Sequence, residues 1–229
     1  MDTRKLIEIL RATIDPNQRA QAEEQLSQIH KIIGFAPSLL QVVMMNDVTI
    51  PIRQAGVVYL KNLITSGWQE KEPEENEPLP FSIHEQDQAM IRDSIVDAIA
   101  QAPDIIRVQL CVCLKTIIKH DFPTRWTQVV DKIHIYLQNP EPNSWMGALL
   151  CLYQLIKNYE YQLAEKRVPL IEAMNLLLPM LYNLIVNLQS DQSVESVLIQ
   201  KQILKCFYGL IKYILPLDLI TKEVFTKWM

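Results

Sequence analysis

The chain has 229 residues, enough for one large domain or an elongated repeat array, and 49% of them are hydrophobic, which supplies an ample core and excludes disorder as the default. A net charge of −4 argues against a protein whose main task is coating nucleic acid, because phosphate binding needs a surplus of Lys and Arg. Four cysteines, Cys111, Cys113, Cys151 and Cys206, follow a start that does not read as a signal peptide, so free thiols in a reducing compartment are expected rather than disulfides.

No stretch alternates apolar and polar residues between turn signals, so the expected class is all-α. A short helix bearing Leu6, Ile9, Leu10 and Ile14 comes first. Asp15-Pro16 then opens a second, with Ala22, Leu26, Ile29 and Ile33 as its apolar stripe. The next pair is 35–46 and 51–67, begun by Pro51. Residues 69–83, QEKEPEENEPLPFSI, carry charge and proline without apolar periodicity and read as an exposed acidic loop.

Further pairs are predicted at 84–101 with 104–120, 123–138 with 143–160, and 168–189 with 193–214, separated by Pro103, NPEPN and SDQS. Another helix starts near Leu217 with apolar residues still accumulating at the last position. The uncharged stretch 173–190 nears the length of a membrane span. Asn175, Pro179, Asn183 and Asn187 recur along it every fourth residue, however, which marks a soluble helix with one polar stripe, and no membrane insertion is expected.

The second helices begin near 16, 51, 104, 143 and 193, an average spacing close to the repeat length of about 40–47 residues of HEAT and armadillo arrays. The expectation is a single α-solenoid over 1–229, about five stacked HEAT repeats truncated in a sixth. In such a stack the first helices line one surface and the second helices the other.

Charge divides between these surfaces. The first helix at 84–101 carries Glu85, Asp87, Asp93 and Asp97 against Arg92. The second helices carry Arg53 and Lys61, then Arg107, Lys115 and Lys119, then Lys201, Lys205 and Lys212, with Lys157 balanced by Glu160. Arg107, Cys111, Lys115 and Lys119 are expected on one stripe facing away from Leu110, Leu114 and Ile117. Lys61-Asn62 and Lys157-Asn158 follow the same logic, so the second-helix surface is expected to hold an acidic protein surface. No aromatic platform is read among these lysines, which disfavours direct nucleic-acid binding.

Signatures of chemistry are scarce. Gly-rich phosphate loops, GxSxG and HExxH do not occur, and the C-x-C of Cys111 and Cys113 places its thiols on different helix faces. KHDFPTRW, residues 119–126, looks like an active site but reads as a joint, with Asp121 capping a helix that Pro123 starts and Trp126 packing one turn inside. No catalytic residue, metal or cofactor is expected. Two other readings stay open: a HEAT-type protein-interaction scaffold, and a cysteine-dependent hydrolase built on an accessible thiol.

IRQAGVVYLKNLI (52–64) resembles the N-terminal domain signature of the importin-beta (karyopherin-beta) superfamily, and KHDFPTRW resembles the joint found two repeats later in it. VDKIHIYLQ (130–138), LLCLYQLIKNYEY (149–161) and SVLIQKQILKCFY (196–208) resemble its importin seven and importin eight branch. The resemblance implies a nuclear import receptor shuttling between cytoplasm and nucleus, whose second helices bind the small GTPase Ran in its GTP form within about 15–161. It further implies phenylalanine-glycine nucleoporins bound between first helices, here 168–189 and 217–229, and cargo such as ribosomal proteins or histones, with importin-beta as a further candidate partner. Carried to this chain, Lys61 and Asn62 and the basic stripe of Arg107, Lys115 and Lys119 are the expected Ran-facing positions, extended to Lys157 and Asn158.

Overall fold

The computed structural model describes residues 2–70 and 80–228; residues 71–79 of the expected acidic loop lie outside them. Among the described residues there is no strand, and the helices are α1 (Thr3–Ala12), α2 (Arg19–Ile29), α3 (Phe35–Met44), α4 (Ile50–Gly67), α5 (Glu85–Gln101), α6 (Asp104–Asp121), α7 (Gln128–Gln138), α8 (Pro142–Tyr159), α9 (Val168–Leu188), α10 (Val194–Ile211) and α11 (Lys222–Trp228). They fall into two compact units, Met1–His120 and Asp121–Met229.

In the first unit α1 packs on α2, α3 and α4, and α3 packs on α4 and α5. An arginine at the start of each second helix ties it to the end of the helix before. Arg19 donates through Nε to the Thr13 carbonyl at 3.0 Å, Arg53 to Val43 at 2.7 Å and Arg107 to Ile99 at 3.0 Å. These acceptors lie at the C-terminal ends of α1, α3 and α5, where carbonyls lack intrahelical donors and the helix dipole favours a cation. Arg53 and Arg107 are each the fourth residue of their helix, and both are buried.

The opposite end of α3 is secured from α5. Gly34 adopts φ +90°, a conformation that favours glycine, and its N–H donates to both carboxylate oxygens of buried Asp87 at 2.8 and 2.9 Å. The root of the acidic segment is pinned as well. Buried Trp68 and Ile83 both offer carbonyls to Gln88 Nε2, at 2.8 and 2.9 Å, and Phe81 lies against Gly67, where a Cβ would stand 2.9 Å from its ring.

In the second unit α8 packs on α7 and α10, while α9 packs on α7, α8 and α10. Gly209 permits a tight α8–α10 seam, since a Cβ there would come within 3.1 Å of Ile156 Cγ2. Buried Arg167 donates to the Leu210 and Ile214 carbonyls at 2.6 and 2.7 Å, closing the C-terminal end of α10. Helix α9 is long and apolar enough to cross a membrane. Leu170, Met174, Leu177 and Leu181 are buried, and the stripe of Asn175, Pro179, Asn183 and Asn187 is exposed as the periodicity predicts.

The joint at 119–126 is built differently from its sequence reading. α6 continues through Asp121, and α7 begins only at Gln128, so Pro123 starts no helix and Asp121 caps none. Instead the Asp121 carbonyl accepts from the amides of Arg125 and Trp126 at 2.7 and 3.1 Å, which makes a wide turn, and its buried carboxylate faces Arg125 Nη1 at 3.5 Å. Trp126 is buried in the turn, ahead of the helix.

Candidate partner-binding surface

Helices α4 and α6 supply the expected contact residues of the first unit. Lys61 is half-buried, and it stands close enough to Cys113 on α6 to oppose part of the burial that raises that thiol. Asn62, exposed on the next position, lines a cleft of about 430 Å³ between α2 and α4 with Arg19, Glu23, Gln54, Val58 and Tyr59. Its floor is apolar, formed by Leu10, Leu26 and Ala55, and its rim is polar, a composition suited to taking a protruding side chain.

The α6 stripe needs correction. Lys115 and Lys119 are exposed, but Arg107 and Cys111 are buried. Arg107 also spends its guanidinium inside the fold, on the Ile99 carbonyl and on Asp104 at 2.9 Å. The reason is geometric: steps of four residues advance about 40° around a helix with 3.6 residues per turn, so a line through 107, 111, 115 and 119 winds from the buried side to the exposed one. Alternating steps of three and four hold one face. The exposed line is Ile105, Val108, Val112, Lys115 and Lys119, apolar along its first half and basic along its second.

The apolar half was missed. Its signal was available, for Ile105, Val108 and Val112 sit at three–four spacing in the same register as the two lysines. Such an arrangement offers aliphatic contact area beside two exposed ammonium groups, which suits a partner surface where acidic and apolar side chains adjoin.

In the second unit Lys157 and Asn158 are half-buried near the end of α8. Lys157 is engaged with the carboxylate of buried Glu160, whose other oxygen lies 4.0 Å from Lys212 on α10. Aromatic rings stand among these cations: Lys157 Nζ is 6.0 Å from the Tyr161 ring centroid, and Lys212 Nζ is 4.6 Å from that of Tyr213 and 5.7 Å from that of Tyr208. Tyrosine rings thus stand among the lysines here, but with ammonium groups over them they do not form the open stacking platform whose absence the sequence suggests. Tyr161 and Tyr213 lie on non-helical segments after α8 and α10, where helical periodicity gives no warning of their approach.

Two further crevices lie between first helices. One of about 530 Å³ separates α3 from α5, lined in part by Leu40, Met44, Met90 and Asp97. Another of about 440 Å³ separates α9 from α11, lined in part by Leu178, Pro179, Tyr182, Leu219 and Trp228. Trp228 stacks on Phe207 at 4.2 Å with the rings 2° from parallel.

All four cysteines are free and buried. Burial pushes Cys111 up to about 11 and Cys113 up to about 12, against a weaker opposing pull from Arg107 and Lys61 respectively, and it raises Cys206 as well. That is the reverse of the exposed, acidified thiol a cysteine-dependent hydrolase needs. Among the described residues no three His, Cys, Asp or Glu side chains gather to hold a metal ion.

Residues 22–101 match the importin-beta N-terminal domain family. The whole chain is 53% identical to importin-8 of Homo sapiens over 230 residues, spanning 22% of that protein, and 94% of it is 30% identical to a probable importin-7 homolog of Dictyostelium discoideum, spanning 20%. The chain thus spans about a fifth of the length of these relatives. Among solved structures, the exportin Cse1 in its cargo-free, cytoplasmic state matches 92% of this chain with a TM-score of 0.81 at 18% identity, over 23% of its own length. Kap121p bound to Nup53p matches 98% with a TM-score of 0.60 at 19% identity, over 19% of its length. The fold of these neighbours is the HEAT-repeat α-solenoid, and this chain shares it.

Proposed function

Since the chain belongs to the importin-beta superfamily, close to its importin-8 members, we propose that it is the GTPase-reading part of a nuclear import receptor and binds the GTP-bound form of Ran through α4 and α6 of its first unit. The observation that supports this most is the exposed α6 line of Ile105, Val108, Val112, Lys115 and Lys119, with Lys61 and Asn62 on the neighbouring α4. The GTP-bound switch segments of a small GTPase are ordered and present a fixed surface; hydrolysis releases them, so a preformed helical face can read the nucleotide without any chemistry on this chain.

Nucleoporin contact is proposed for the α9–α11 crevice, whose aromatic and aliphatic lining fits a phenylalanine side chain, in keeping with Kap121p having been captured on Nup53p. Kap121p has also been captured on Ste12p and Ulp1p, and cargo carriage between cytoplasm and nucleus is proposed for this protein. Reversal of Lys115 and Lys119 to Glu tests the GTPase surface. Affinity for GTP-loaded Ran should fall at least tenfold with helicity intact. Unchanged affinity would mean that α6 is merely solvated and would favour the nucleotide-indifferent scaffold.

A further inference from the structure

We propose that the outward surface of α8 and α10 is a docking surface for an acidic protein segment, one that brings a carboxylate beside an apolar side chain. Along α10 and its C-cap, Lys201, Lys205, Tyr208 and Lys212 follow at steps of four, three and four, and all are exposed, so they share one face. Lys157 and Tyr161 flank that face from the end of α8, and the Tyr213 hydroxyl donates to that of Tyr161 at 3.2 Å with the ring centroids 4.8 Å apart. Tyr161 is 75% exposed, Tyr208 59% and Tyr213 48%.

Charge selects the occupant. Among the described residues the carboxylate shown against these groups is Glu160; it is nearly inaccessible, engaged with Lys157 and within ion-pair distance of Lys212, so it leaves the exposed Lys201 and Lys205 to face a partner. Lys212 is only 4.0 Å from Glu160 and does not hydrogen-bond to it; it is steadied over the rings of Tyr213 and Tyr208. A hydrogen bond to Tyr213 further favours its charged form. Lysines already ordered by tyrosine rings lose less side-chain freedom on meeting a carboxylate, and tyrosine is among the residue types that dominate protein contacts.

A single-stranded nucleic acid is the competing occupant, because lysines among aromatic rings can also hold stacked bases. The rings here are not open platforms. Tyr161 and Tyr213 lie against each other, and ammonium groups stand over Tyr161, Tyr208 and Tyr213.

This surface is independent of the GTPase contact proposed on α4 and α6, so failure of either leaves the other standing. The test titrates the whole chain with three fluorescent probes: a short peptide alternating Asp or Glu with Leu and Phe, its counterpart with Lys for every acid, and a short oligouridylate. Anisotropy should report binding of the acidic peptide alone. Lys212→Gln combined with Tyr161→Ala should weaken it about tenfold or more, Tyr161→Phe should retain most of the affinity, and Lys5→Gln, an exposed lysine outside both proposed surfaces, should leave it unchanged. Circular dichroism confirms that each variant is folded; if the double variant is not, Lys212→Gln alone decides, with a severalfold loss expected. Absent binding of the acidic peptide, equal binding by the folded variants, or tighter binding of the oligouridylate overturns the proposal.

Discussion

Arg107 Nε donates to the Ile99 carbonyl oxygen at 3.0 Å, so a residue that reads as a partner-facing charge is a clasp between α5 and α6. Arg107→Ala should lower stability by about 2 kcal/mol, since it strips a buried carbonyl of its donor. Urea denaturation of the variant beside Lys115→Ala checks this. A loss for Arg107→Ala with none for Lys115→Ala is expected, and equal small effects would return Arg107 to the surface.

Gly209 sets the spacing of α8 and α10. Gly209→Val should destabilise by about 1–3 kcal/mol through overpacking on Ile156, and adding Ile156→Ala should recover part of that loss, because the two substitutions share one volume. Simple additivity of the two losses would contradict the close approach.

The thiols should be inert while the chain is folded. At neutral pH a group raised to about 11 or 12 carries almost no thiolate, and burial denies the reagent access. Mass spectrometry after iodoacetamide treatment should find the four cysteines labelled slowly in buffer and quickly in urea. Labelling of one of them in buffer at the rate of a free thiol would revive the hydrolase reading.

What the sequence disclosed followed from periodicity and punctuation. Pro51, Pro103 and the SDQS break place the starts of α4, α6 and α10 within a residue or so, and the asparagine stripe of α9 identifies its solvent side. Long-range partners left no such mark. Asp87 reads as surface charge, yet its carboxylate receives Gly34 across 53 positions of sequence. Arg53 and Arg107 left a faint one: each follows an isoleucine in the first turn of a second helix, as IPIR and DIIR, and the repetition becomes legible once a carbonyl is seen to wait at the end of the preceding helix. Proline misled at 123, where the backbone spends several residues turning before α7 begins.

The most direct test of the central claim compares the affinity of this chain for Ran loaded with a non-hydrolysable GTP analogue and with GDP, measured by titration calorimetry on the same preparation. Binding should be at least tenfold tighter in the GTP state and should weaken when Lys115 and Lys119 are reversed to Glu. Equal affinity in both states, or none in either, would contradict the claim.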